Sequence, residues 1–207
     1  MKIRIAGEFC LLVMFGLVTS CASSYKSIHP QIVNYSNETV TDSIKFSYKY
    51  DVLWESRNKK YAKKERKNSS KILAIKVLNN SRDTIDFNDV KLFSADKLIV
   101  PIPNEDLYDQ FKQSTPSYIL YLLFTPVHKF SVNLNGPSNI FPFGLILGPV
   151  LAGWNMMVAA GANSDFEYEL EKYNIRDQKI PPGDTMYGLI GIEVDDYIPL
   201  TLRLMRK

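Results

Sequence analysis

Residues 140–162 (IFPFGLILGPVLAGWNMMVAAGA) carry no charge, and no other stretch constrains the fold of this chain as strongly. As a helix, these 23 residues could cross about 30 Å of hydrocarbon. Two features argue against a crossing: Pro142 and Pro149 each remove a backbone donor, and a crossing would separate predicted strands on either side of the stretch. We therefore predict a buried or surface-docked helical insertion that does not span a membrane.

The first twenty residues have the layout of a signal peptide, with Lys2 and Arg4 ahead of a short apolar run. The next residue is Cys21, and Val18-Thr19-Ser20-Cys21 resembles the lipobox of bacterial lipoproteins. That resemblance implies cleavage before Cys21 and acylation of this cysteine. Some lipoproteins are retained in the inner membrane by an Asp directly after the acylated cysteine. That position is Ala22 here, so the resemblance favours the outer membrane, with the protein facing the periplasm. The alternative is an ordinary signal peptide followed by an incidental cysteine.

The remaining composition excludes several classes of function. The net charge of +3 is too small to imply a nucleic-acid partner. Cleavage would remove Cys10 and leave Cys21 as the single cysteine, so no disulfide is expected. The two histidines, His29 and His128, have no second ligand at metal-binding spacing, and no nucleophile motif or glycine-rich phosphate loop occurs. We expect no metal, no cofactor and no enzymatic activity.

The mature chain is predicted to begin with a lipidated cysteine and an irregular tether over residues 21–40, followed by one domain over 41–207. Apolar residues alternate with polar ones over 44–55, which indicates a half-buried strand. Further strands are predicted at 71–80, at 84–103 with a turn at 94–96, and in two closing segments after the turn Pro181-Pro182-Gly183-Asp184.

The passage ILAIKVLNNSRDTIDFNDVKLFSADKLIVPI, together with IPPGDTMYGLIGI, resembles immunoglobulin-like domains of bacterial envelope lipoproteins. The resemblance covers residues 40–103 and 175–207. It implies a mainly β fold, an immunoglobulin-like antiparallel β-sandwich, and it adds little about function because those families are mostly uncharacterised. An apolar, partly helical insertion is predicted at about 110–175, with a helix over 164–173 capped by Ser164.

Aromatic residues within the insertion are candidates for apolar interaction: Tyr118, Tyr121, Phe124 and Trp154. If they line a pocket of roughly a few hundred Å³, the protein would carry a hydrophobic ligand. If they form a flat exposed patch, it would bind a partner protein.

A strongly basic run occupies residues 57–67. Its charge pattern indicates either a solvated hairpin loop or a site that docks on an anionic surface of the envelope. The seven basic residues are Arg57, Lys59, Lys60, Lys63, Lys64, Arg66 and Lys67, and Glu65 is the one acid among them.

Three Asp-(Ser/Thr)-hydrophobic triplets resemble the acceptors of a periplasmic O-glycosylation system. Their candidate acceptor residues are Ser43, Thr84 and Thr185. The alternative is that these are ordinary residues at strand entries.

These features together predict a lipid-anchored cell-envelope protein that acts as a binding or assembly module in an envelope complex. Its expected contacts are the membrane, through the N-terminal lipid, and an envelope protein partner. The alternatives are a carrier of a hydrophobic ligand or an enzyme without a recognisable motif.

Overall fold

The computed structural model describes residues 21–41, 43–125 and 143–205. The predicted signal peptide lies outside these residues. The chain divides into two compact units: unit 1 comprises residues 1–24 and 113–162, and unit 2 comprises residues 25–112 and 163–207. Among the described residues, about 39% are helical and 28% are in strands.

Nine strands and four α-helices are defined in the described residues. The strands are β1 (Asn37–Val40), β2 (Ile44–Lys49), β3 (Ser70–Asn79), β4 (Ile85–Asp86), β5 (Val90–Ser94), β6 (Lys97–Ile99), β7 (Lys179–Ile180), β8 (Thr185–Glu193) and β9 (Thr201–Leu204). The α-helices are α1 (Val52–Glu55), α2 (Lys59–Lys67), α3 (Asn104–Phe111) and α4 (Phe143–Lys172), and 3-10 helices occupy Pro30–Ile32, Phe87–Asp89 and Thr115–Phe124.

The strands of unit 2 form three antiparallel sheets, in the orders β1-β2-β3-β8, β4-β7 and β6-β5-β9. Their apolar side chains meet in one core, which includes Phe46 of β2, Ile75 of β3 and Leu202 of β9. The antiparallel part of the predicted fold is therefore confirmed. The mainly β part is wrong, because the helical content exceeds the strand content.

Part of this difference arises after β2, where residues 52–55 were predicted to continue the strand. Asp51 has a φ of 57°, in the left-handed region, and this ends the strand. The chain then forms α1, which buries Val52 and Leu53. The basic run that follows is helix α2, so the prediction of a hairpin loop there is wrong. The alternation of apolar and polar residues that starts at residue 44 predicts a strand but not the residue at which the strand ends.

The buried strand and the turn before β8 agree with the predictions, whereas the 3-10 helix Phe87–Asp89 divides the strand predicted from residue 84 into β4 and β5. β3 is almost entirely buried, as its run of Ile, Leu and Val indicates. In the turn before β8, the Asp184 amide donates to the Pro181 carbonyl at 3.1 Å, and Gly183 adopts a φ of 78°. This positive φ is what a type II turn requires at its third residue.

The predicted tether is much shorter than residues 21–40. From Tyr25 onward the chain packs within unit 2, where Tyr25 and Ile28 are buried and β1 pairs with β2. The buried Glu169 carboxylate accepts from the Tyr25 hydroxyl at 2.5 Å and from the Ile28 amide at 2.8 Å. Asn58 exchanges two hydrogen bonds with the Lys26 backbone. These partners come from distant segments, so the polar sequence of 22–34 alone could not predict them.

Helix α4 is longer than predicted. The expected helix over 164–173 is its last third, so Ser164 lies inside the helix and does not cap it. The boundary of the apolar insertion also differs, because residues 163–172 belong to unit 2. Phe166 and Leu170 anchor this last third in unit 2 as fully buried side chains.

Candidate functional site

Helix α2 separates its residues cleanly into two faces. Tyr61, Ala62 and Glu65 are buried in unit 2. This spacing places all three on one side of an α-helix. Of the predicted basic residues in α2, Lys60 and Lys64 are half-buried and Lys59, Lys63, Arg66 and Lys67 are exposed; Arg57, also exposed, precedes the helix. We call these five exposed residues the basic face.

Glu65, the one acid in this segment, does not neutralise the basic face because it points into unit 2. Its carboxylate is 3% exposed and accepts a hydrogen bond from the Ile72 amide at 2.7 Å. Burial raises the pKa of Glu65 to about 7, although the Ile72 hydrogen bond opposes the shift. The ion pairs found within residues 21–41, 43–125 and 143–205 are formed by Lys45, Lys49, Lys112 and Arg203, none of which is in the basic face.

An exposed aromatic side chain, Trp54, extends the basic face. The Arg66 guanidinium lies 5.8 Å from the centre of the Trp54 ring, within reach of a cation–π interaction. Sequence reasoning missed this contact because it placed Trp54 on the core side of a continuous strand. The four-residue spacing of Tyr61 and Glu65, about one helical turn, could have indicated the helix.

An open cleft of about 300 Å³ lies beside strand β2 and was not predicted. Its walls include Tyr48, Tyr50 and Tyr197, and the Tyr197 hydroxyl lies 2.8 Å from both carboxylate oxygens of Asp51. The hydrogen bond to Asp51 raises the pKa of Tyr197 to about 12. A phenol with this pKa stays protonated at neutral pH, so Tyr197 contributes a hydroxyl to the cleft as a hydrogen-bonding group.

Cys21, the predicted lipidation site, is exposed in unit 1. The residues that follow it are fixed by two buried amide side chains. The Ala22 amide donates to Asn155 Oδ1 at 2.6 Å, and Gln113 Nε2 donates to the Ser23 carbonyl at 2.7 Å. Cys21 is therefore exposed, and the backbone that follows it is held in place by these two side chains.

Three of the four aromatic candidates of the insertion have described side chains, and these three differ in exposure. Tyr118 and Tyr121 stack at 6.2 Å and are buried against Ala152 and Ala159 of α4. Trp154 is 67% exposed. The side chain of Phe124 lies outside what the structure describes.

The three candidate glycosylation triplets gather at one end of the four-stranded sheet, around Asn79 and Asn80. The Asn80 amide donates to the Ser43 carbonyl, and the Asn79 side chain donates to the carbonyl of Asp83, which precedes Thr84. Thr84 and Thr185 are exposed and Ser43 is half-buried, whereas Asp42 lies outside the described residues. Glycosylation at these sites stays a prediction.

Within the part of the chain that the structure describes, no three His, Cys, Asp or Glu side chains come together as a metal site. Comparison of the sequence and the fold with family models, curated proteins and solved structures finds no match. The geometry of the basic face and of the Cys21 region is therefore the ground for assigning a function.

Proposed function

We propose that this chain is a lipid-anchored cell-envelope protein whose basic face binds an anionic partner, as one module of an envelope assembly. One observation carries the proposal: Glu65 is directed into unit 2, so five cations are exposed with no acid between them. A solvated surface helix usually mixes both signs of charge. The exposed Trp54 beside Arg66 adds the type of aromatic residue that is enriched in binding surfaces.

The alternative of a hydrophobic-ligand carrier has less support. The apolar cavity in the core of unit 2, lined by Ile75, Leu92 and Ile190 among others, has a volume of about 180 Å³. Pockets for drug-sized ligands are roughly 300–1,000 Å³. Tyr118 and Tyr121 pack against α4 and leave their faces unavailable to a ligand.

The anchor and the fold family remain part of the proposal. The lipobox-like Val18-Thr19-Ser20-Cys21 and the exposure of Cys21 support acylation and an envelope location, with the outer membrane favoured by Ala22. The antiparallel sheets of unit 2 are compatible with an immunoglobulin-like sandwich.

Charge removal on the basic face tests the binding role. The variant Arg57→Gln, Lys63→Gln, Arg66→Gln is compared with Lys91→Gln, Lys97→Gln, Lys179→Gln, which removes the same charge from other exposed positions of unit 2. Each protein is affinity-purified from its native envelope, and co-eluting proteins are identified. We expect the first variant to lose roughly 10-fold or more of an acidic partner and the second to retain it. Retention by both variants would contradict the proposal.

Metabolic labelling with a fatty acid tests the anchor. We expect the label on the wild-type protein and none on Cys21→Ser. The acyl chains contribute about 0.8 kcal/mol per buried CH₂, so the variant should also leave the membrane fraction more readily. Equal labelling of both proteins would remove the lipobox interpretation.

A further inference from the structure

Unit 1 exposes apolar side chains on two neighbouring elements. On the 3-10 helix Thr115–Phe124, Leu120 and Leu123 are more than 60% exposed. On α4, the exposed apolar residues include Leu145, Val150 and Trp154. Residues 113–125 and 143–162 contain no Asp, Glu, Lys or Arg. Apolar exposure without interspersed charge is rare on surfaces that face water.

Helix α4 has a packed face in addition to its exposed apolar side chains. The inner face of α4 is already packed through small residues, with Ala152 and Ala159 against Tyr118 and Tyr121. At Gly148 the packing is so close that a Cβ would lie 2.8 Å from the Thr125 hydroxyl. The exposed side chains of Leu120, Leu123, Leu145, Val150 and Trp154 are thus additional to this packed face. We call them the apolar face of unit 1. Segment Leu145–Lys172 is long and apolar enough to cross a membrane, yet only 28% of its most apolar window is buried.

The hydrogen bonds that hold residues 22 and 23 place Cys21 beside this same helix. Ala22 is bound to Asn155, which neighbours Trp154 in the chain. Asn155 and Gln113 are buried: Asn155 Oδ1 accepts from the Ala22 amide while its Nδ2 donates to the Leu151 carbonyl, and Gln113 Nε2 donates to the Ser23 carbonyl. Any acyl chain on Cys21 therefore starts at the level of Asn155 along α4.

We propose that the apolar face of unit 1 enters the hydrocarbon of the membrane leaflet that receives the acyl chains of Cys21, an inference that rests on the proposed lipid anchor. Nine residues separate Leu145 from Trp154, which is about 14 Å of helix and close to the thickness of one leaflet. Trp154 then lies at the interface, where tryptophan is favoured, and Leu145 approaches the midplane. No charged side chain among the described residues of unit 1 has to be desolvated.

The two tryptophans of the chain, Trp54 and Trp154, allow a direct test with the full-length processed protein in vesicles of brominated phosphatidylcholine. Trp54→Phe leaves Trp154 as the single reporter. Adding Trp154→Phe and Leu145→Trp moves the reporter nine positions toward the start of α4, to another exposed site where a larger side chain meets no core. We expect shallow acyl bromines to quench Trp154 most and deep bromines to quench the reporter at position 145 most.

Trp154→Phe is the matched control, because it leaves Trp54 of unit 2, which we expect acyl-chain bromines to leave unquenched. Absence of quenching at positions 145 and 154, or equally shallow quenching at both, would overturn insertion into one leaflet. Intact-mass analysis of the same samples separates this inference from the anchor. If the protein is lipidated but not quenched, the anchor is supported and the insertion is rejected. If the protein is not lipidated but shows the depth gradient, the insertion is supported and the anchor is rejected.

Discussion

Phe166 and Trp154 lie on the same helix, α4, but their surroundings are opposite. Phe166 belongs to unit 2 and is fully buried among aromatic rings that include Tyr25, Tyr61 and Phe111. Trp154 belongs to unit 1 and is 67% exposed. Both units are rich in apolar residues, so composition does not distinguish them. The difference lies in how much of that apolar surface the unit itself covers.

Unit 2 satisfies its apolar residues internally, with the core of the three sheets and the aromatic cluster around Phe166. The described residues of unit 1 pack one face of α4 and leave other apolar side chains of this helix exposed. Unit 2 is thus stabilised by burial within its own core, whereas the exposed apolar residues of unit 1 are those that the proposed insertion into a leaflet would bury.

The strongest test of this comparison truncates the two aromatic residues of α4. Phe166→Ala leaves a cavity in unit 2, and we expect it to lower the free energy of unfolding by about 3–5 kcal/mol. Trp154→Ala removes an exposed side chain, and we expect a change within about 0.5 kcal/mol in mild detergent. Denaturant unfolding monitored by far-UV circular dichroism measures both. Similar losses from the two substitutions would break the comparison.

A second test uses the buried carboxylate of unit 2. The pKa of Glu65 is raised to about 7 from an ordinary value of 4.5, so the folded protein holds this proton up to a higher pH than the unfolded chain does. The stabilisation is complete below pH 4.5 and is lost as the pH rises to 7, by on the order of 3 kcal/mol.

Glu65→Gln cannot ionise, yet its amide oxygen can still accept from Ile72. We expect this variant to flatten the pH dependence of the free energy of unfolding between 4.5 and 7 and to be more stable than the wild type at pH 8. Glu105→Gln, at an exposed position of α3, is the control and should leave the curve unchanged. An unaltered slope in Glu65→Gln would show that another group titrates in this range.

The attachment of the N-terminal segment to unit 2 provides a third test. Tyr25→Phe removes the hydroxyl that donates to Glu169 and leaves a buried carboxylate oxygen without that donor. We expect a loss of about 1–3 kcal/mol in the free energy of unfolding and faster amide exchange at Ile28. Tyr168→Phe, an exposed residue next to Glu169, should have neither effect. Unchanged exchange at Ile28 would mean that the segment is held by other contacts.

The smallest expected effect concerns surface charge on unit 2. Lys45 and Glu38 form an ion pair at 3.0 Å between two exposed side chains. We expect Lys45→Gln to change the free energy of unfolding by less than about 0.5 kcal/mol, because solvent screens such pairs. A loss above about 1 kcal/mol would assign part of the stability of unit 2 to its surface and weaken the contrast with unit 1.

Sequence predicted the parts of the fold that depend on neighbouring residues. The buried strand β3 and the Gly183 turn follow from local composition and from one backbone angle. Helix α1 was missed because the alternation that starts at Ile44 continues through Trp54 in the sequence, although Asp51 turns the chain. Helix α2 was missed because its run of basic residues indicated a hairpin loop. Periodicity reports a preference, and the tertiary contacts of Val52 and Leu53 override it.

The candidate site was predictable in its charge and not in its geometry. The seven basic residues are visible in the sequence, but the inward direction of Glu65 depends on the Ile72 amide, which belongs to strand β3. Cys21 is a similar case, because its lipobox-like context is visible in neighbouring residues whereas its surroundings in the fold are not. The hydrogen bonds of Asn155 and Gln113 that position it join residues 133 and 90 positions apart in the chain.

The pairing of β3 with β8 has a consequence for the time course of synthesis. β3 ends at Asn79, but the strand that covers its second edge ends at Glu193, on the far side of unit 1 in the sequence. At a rate of about 5–20 residues per second, roughly 6–23 seconds pass between the emergence of the two strands. Throughout this interval β3, which is almost entirely buried in the folded protein, presents an open edge, and an open edge is a template for aggregation. The order of these strands in the chain therefore sets how long that edge stays open during synthesis.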